Sequence, residues 1–174
     1  MNIRVKNFLQ REHQWCVRAN TWAEQNWVRR YFQTVSRLGD GIIWYLLGVI
    51  ILLVEGLQGL PVFLHLAAMA VVTSTLYRYL KKWTKRPRPF ANDNRIHVWT
   101  APLDEFSFPS GHTLHAVSFT LVTLAYYPML APVLVPLAIS IALSRVILGL
   151  HYPSDVFAAT VIGSLLAWGS FWFF

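Results

Sequence analysis

Three short segments carry side chains that packing does not explain. The stretch Ser144–Asp155 places Arg145, His151 and Asp155 at the junction of two apolar runs. A buried Arg costs several kcal/mol unless an anion or a cavity meets it. A His followed four residues later by an Asp suits an imidazole that a carboxylate orients. Asp155 on one ring nitrogen would leave the other free to attack phosphorus, with Arg145 on the phosphate oxygens. Alone, the stretch also reads as a helix turn capped by Ser154 or Asp155.

The second segment is Lys81–Pro89, where Lys81 and Arg88 lie seven residues apart around a proline-stiffened turn. A guanidinium can bind two phosphate oxygens at once. A basic patch touching anionic headgroups would look the same. The third is Phe108-Pro109-Ser110-Gly111-His112 at the start of an apolar run. A helix N-terminus there offers unpaired N–H groups, Ser110 a hydroxyl and Gly111 close backbone approach. His112 would then stand beside a bound anion and protonate a leaving oxygen. An N-cap serine followed by an interfacial histidine is the ordinary alternative.

The elements that must position these groups are apolar helices. The chain has 174 residues, enough for one domain, and 55% of them are hydrophobic. Only 13% are charged, against about 25% in a soluble domain. Five apolar runs read as membrane spans: 42–60, 61–80, 110–127, 133–150 and 155–174. Residues 1–40 mix basic residues from Arg4 and Lys6 to Arg37 with Trp15, Trp22 and Trp27. That pattern predicts one or two amphipathic helices, in the lipid interface or capping the bundle. The expected fold is an all-α integral membrane protein: one domain over 1–174, with a 1–40 amphipathic segment and a 41–174 transmembrane catalytic bundle. A loop of about 25 residues before Ser110 is long enough to suggest function. The ends of spans two and four share a face with the starts of spans three and five, so all three segments meet there. His65 and His115 read as structural. One cysteine, Cys16, makes neither an internal disulfide nor a cysteine-rich metal site.

Together the three segments resemble the tripartite signature of the type-2 phosphatidic acid phosphatases, the superfamily that includes vanadium haloperoxidases. Its pattern K-x6-R-P, P-S-G-H and S-R-x5-H-x3-D is filled in order by Lys81–Pro89, Pro109–His112 and Ser144–Asp155. The resemblance implies that Lys81, Arg88, Ser110, Gly111 and Arg145 bind phosphate. It implies that His151 forms a phosphohistidine, Asp155 orients His151, and His112 serves first as acid and then as base. It implies no metal and no cofactor, which agrees with the lack of a carboxylate cluster suited to magnesium.

Phosphate chemistry at a membrane edge favours a lipid substrate: phosphatidylglycerophosphate, phosphatidic acid or undecaprenyl diphosphate. The bilayer and its lipids are the expected partners, and nucleic acid is not, despite a net charge of +7. A lipid phosphotransferase and a non-catalytic lipid-binding protein are the competing functions. The expected location is the bacterial cytoplasmic membrane. All 15 Lys and Arg precede span one, lie between Arg78 and Arg95, or are Arg145. The excess of positive charge on that face favours a site on the cytoplasmic side, whereas the resemblance implies an outward-facing one.

Overall fold

The structure is a computed structural model that describes residues 3–174, without the side chains of 4–6. The charges of Arg4 and Lys6 counted above therefore lie outside the described side chains. The described residues form eight helices in order: α1 (Ile3–Trp22), α2 (Asn26–Leu38), α3 (Ile42–Glu55), α4 (Leu60–Thr84), the short α5 (Pro89–Asn92), α6 (Gly111–Tyr126), α7 (Ala131–Ile147) and α8 (Pro153–Ser170). Single 3-10 turns join α3 to α4 and α6 to α7. The described residues contain no strand.

Helix boundaries follow local chemistry. Pro61 sits in the first turn of α4 and Pro153 in that of α8, where a missing N–H costs nothing. α4 stops at Lys85, which takes a left-handed conformation just before Pro87. Helices α7 and α8 are separated by Gly149 at φ +79. A Cβ there would come within 2.8 Å of the His97 carbonyl oxygen, so the turn is closed by a residue without one.

Helix α6 is the centre of the bundle and packs against α4, α7 and α8. It is buried on nearly every side and carries Ser118, Thr120 and Thr123 inside. Gly163 of α8 lets the two backbones close up; a Cβ there would lie 3.0 Å from the Leu114 carbonyl oxygen. The main apolar core lies lower in the bundle around Trp44, Met69, Phe119, Leu134 and Ile141. At the end of the bundle remote from the three segments, His65 is fully buried. Its ring nitrogens lie 2.9 Å from the Tyr126 hydroxyl and 2.6 Å from Ser170 Oγ. That is the structural role expected of it.

The outward faces of α3, α4, α7 and α8 expose Leu53, Val54, Val71, Val133, Phe157 and Leu165. Large exposed apolar faces call for an apolar surrounding. Two stretches, Ile42–Asn92 and Pro128–Ile147, have the length and mean hydropathy, 2.1 in each, to cross a membrane. These are two stretches against five expected spans, and neither α6, of 16 residues, nor α8, of 18, is among them. α6 faces protein on most sides and so carries hydroxyls, and α8 carries the small residues that let it pack closely.

Helices α1 and α2 occupy the segment in which one or two amphipathic helices are expected. α1 packs on α7 and α8, and α2 on α7. Trp15, Trp22 and Trp27 are exposed, while Val28 and Val35 point inward. The segment thus caps the bundle and still offers tryptophans outward.

Candidate active site

The last turn of α4, the 85–109 loop, the head of α6 and the α7–α8 turn converge on a cavity of about 70 Å³. Lys81, Arg88, Gly111, His112, Arg145 and His151 all line it. Ser110 does not. Its hydroxyl caps α6, 2.9 Å from Thr113 Oγ1 and 3.4 Å from the Thr113 amide, which donates to it. Asp155 is also off the cavity, behind His151.

The three cations are nearly sequestered from solvent, and their existing partners define the site. Lys81 Nζ donates to Asp104 Oδ1 at 2.6 Å and to the Phe106 carbonyl oxygen at 2.9 Å. Arg88 donates to the same Asp104 oxygen through Nη2 at 2.8 Å and to the Leu150 carbonyl oxygen through Nη1 at 2.9 Å. Arg145 closes the last turn of α7 and donates through Nη1 to Ser36 Oγ on α2. Its Nε is buried with no partner among the described residues. Burial works against the ionised carboxyl of Asp104, but Lys81 and Arg88 outweigh it and hold its pKa below the ordinary value.

His151 is 1% exposed. Its Nδ1 lies 3.6 Å from Asp155 Oδ2, an ion-pair distance just beyond a hydrogen bond. Catalytic pairs are often this loose without substrate. Its Nε2 lies 3.4 Å from Arg88 Nη1. Burial, then Arg145, Arg88 and Lys81, push the imidazole pKa well below 6.5. Neutral imidazole is the form that carries a lone pair for attack.

Asp155 is itself tied down. Oδ2 accepts from the Tyr152 amide at 2.9 Å, and Oδ1 accepts from Arg86 Nη1 at 2.6 Å. Arg86 also donates through Nη2 to Glu12 on α1 at 2.8 Å. His112 has a carboxylate partner too, with its Nε2 2.5 Å from Asp40 Oδ1.

Sequence reasoning missed Glu12, Ser36, Asp40, Arg86, Asp104 and His115. Gly39-Asp40-Gly41 reads only as a helix break, and Glu12 only as one charge on an amphipathic helix. Asp104 sits in the long loop that drew attention, but nothing local singles it out. His115, taken as packing, lines the cavity one turn below His112. A cleft of about 560 Å³ adjoins the cavity, shares Asp40, Tyr77, Lys81, Leu103 and Asp104 with it, and adds Arg78 and Lys82. The small cavity thus has a wider antechamber, lined by Arg78, Lys81 and Lys82 together with Asp40, Asp104 and Glu105.

A cavity ringed by cations around two histidines, at one end of a helical bundle, defines a class. The family model of the PAP2 superfamily matches residues 60–174, and the chain belongs to that superfamily. It is 32% identical over 135 residues to the decaprenylphosphoryl-5-phosphoribose phosphatase of Mycobacterium tuberculosis, covering 75% of this chain and 71% of that one. It is 26% identical over 135 residues to the undecaprenyl-diphosphatase of Sulfolobus acidocaldarius, covering 76% of this chain and 64% of that one. The chain spans between 50% and 64% of the length of two of the curated relatives it matches. Its fold is that of the transmembrane PAP2-type phosphatidylglycerolphosphate phosphatase from Bacillus subtilis. The TM-score is 0.72 at 24% identity, over 96% of this chain and 86% of that one.

Proposed function

We propose that this protein is a membrane lipid phosphatase that works without metal through a phosphohistidine on His151. The observation that carries the reading is the cavity itself, where Lys81, Arg88 and Arg145 surround the space between His151 and His112. His151 Nε2 attacks phosphorus, the bond from phosphorus to the lipid or phosphate leaving oxygen breaks, and His112 protonates that oxygen. Water then attacks the phosphohistidine, His112 takes its proton, and the P–N bond breaks to release orthophosphate. Because Asp40 holds Nε2 of His112, the proton moves on Nδ1. The cations stabilise charge spreading over the equatorial oxygens in a site shielded from bulk water.

The substrate is a lipid phosphate monoester or diphosphate. The relatives named for decaprenyl and undecaprenyl lipids support a lipid anchor, as do the apolar faces flanking the site. Phosphatidylglycerophosphate, phosphatidic acid and undecaprenyl diphosphate are the candidates. The whole chain acts as one catalytic domain in the bacterial inner membrane, spanned by α3, α4, α6, α7 and α8. α4, at 25 residues, reaches about 37 Å, beyond the hydrocarbon thickness of ~30 Å. The one-sided Lys and Arg distribution puts the site and α1 on the cytoplasmic side. An alkaline phosphatase reporter fused after Phe174 is then active, and a cytoplasmic signal from that end refutes this orientation.

The test of activity is phosphate release from the three lipids in detergent with a chelator present. Activity survives chelation and favours lipids over a water-soluble phosphate monoester. Equal rates on the soluble ester would contradict the lipid assignment.

A further inference from the structure

Glu12 belongs to α1, outside the residues that the family model matches, yet it is 1% exposed. Both its oxygens are used. Oε2 accepts from Arg86 Nη2 at 2.8 Å, and Oε1 accepts from the Ser154 amide in the first turn of α8 at 2.7 Å. Arg86 in turn donates through Nη1 to Asp155 Oδ1 and to Ser154 Oγ, at 2.6 and 2.7 Å. Its guanidinium lies 4.2 Å over the Tyr152 ring.

Two buried carboxylates thus share one guanidinium directly behind the proposed nucleophile. Ion pairing for stability alone does not account for this, because apolar residues of similar size usually serve as well in such a place. Nor is Glu12 needed to pin α1. Asn20, two turns on, already donates to the His97 and Ile147 carbonyl oxygens at 3.0 Å each and accepts from the His97 amide at 2.8 Å. The Glu12–Arg86 pair holds Asp155 Oδ1, while the Tyr152 amide holds Oδ2, the oxygen that faces His151 Nδ1. Arg86 borders an open cleft of about 630 Å³ together with Glu12 and Tyr152. Without Glu12 it has room to swing outward and release Asp155.

We infer that Glu12 is a positioning residue for the reaction, acting through Arg86 to fix the Asp155 carboxylate against His151. The inference rests on the phosphohistidine reading of the site and adds the N-terminal helix to the machinery. Glu12 touches neither substrate nor phosphate. Its loss slows the chemical step and leaves binding intact.

The test is a double-mutant cycle on the full chain in detergent: Glu12→Gln, Asp155→Asn and the pair, with kcat and KM measured on a cleaved lipid phosphate. Glu12→Gln is expected to lower kcat about tenfold with KM changed less than about twofold, and to add nothing in the Asp155→Asn background. Arg86→Gln behaves the same way and serves as the second variant if Glu12→Gln folds poorly. Inhibition by orthovanadate, which reports on the cavity cations, is unchanged in Glu12→Gln and in Arg86→Gln. An equal fall in kcat in both backgrounds, or no fall at all, overturns the inference. Full activity of Asp155→Asn would instead remove the reading of the site beneath it, and the inference with it.

Discussion

Asp40 Oδ1 lies 2.5 Å from His112 Nε2, so the histidine at the head of α6 is held by the link between α2 and α3. The carboxylate fixes the ring, as the acid role proposed for His112 requires. Asp40→Asn keeps the shape and removes the charge. It is expected to lower kcat about 10- to 100-fold with little change in KM, part of what a positioned acid contributes. Steady-state kinetics on a lipid phosphate check this, and an unchanged kcat would detach Asp40 from the proton transfer.

Asp104 engages both Lys81 and Arg88, the donors that a phosphate would use. Its carboxylate competes with phosphate oxygens for the same N–H groups. It is about one third exposed, so the effect of removing its charge is modest. Asp104→Asn is expected to tighten inhibition by orthovanadate about fivefold. Weaker inhibition would mean that Asp104 serves to space the two cations.

These two carboxylates mark the limit of what the sequence could disclose. Lys81, Arg88, His112, Arg145 and His151 were legible because each motif is local: a few residues at fixed spacing place their side chains on one short backbone feature. Their convergence followed from the alternation of apolar runs. Asp40 and Asp104 meet the site only through tertiary packing, 72 residues from His112 and 23 from Lys81. No periodicity encodes such a contact. Ser110 is ambiguous in another way: a hydroxyl at a helix start fits an anion ligand and an N-cap equally, and here it is bonded as the cap. The helical class was readable from hydropathy, whereas the burial of α6 and the docking of α1 depend on neighbours that a one-dimensional pattern does not specify.

The pH response of the nucleophile follows from its surroundings. Burial, then Arg145, Arg88 and Lys81, lower the His151 pKa well below 6.5. In the proposed reaction the neutral form attacks, so His151 stays competent as pH falls through 6.5 and is lost only at the lower folded value. An ordinary imidazole would lose about tenfold of its neutral form by pH 5.5. The rate of phosphoenzyme formation by rapid quench is expected to change less than about twofold between pH 7.5 and 5.5. A decline with its midpoint near 6.5 would place His151 in a far more hydrated setting.

The proposed reaction passes through a covalent phosphohistidine, which can be trapped. The protein is incubated with a lipid substrate labelled in the transferred phosphate, quenched in alkali and digested. The account predicts label on His151 that is stable to alkali and lost in acid, and no label or turnover in His151→Gln. Undiminished turnover in His151→Gln, or label on another residue, would contradict it.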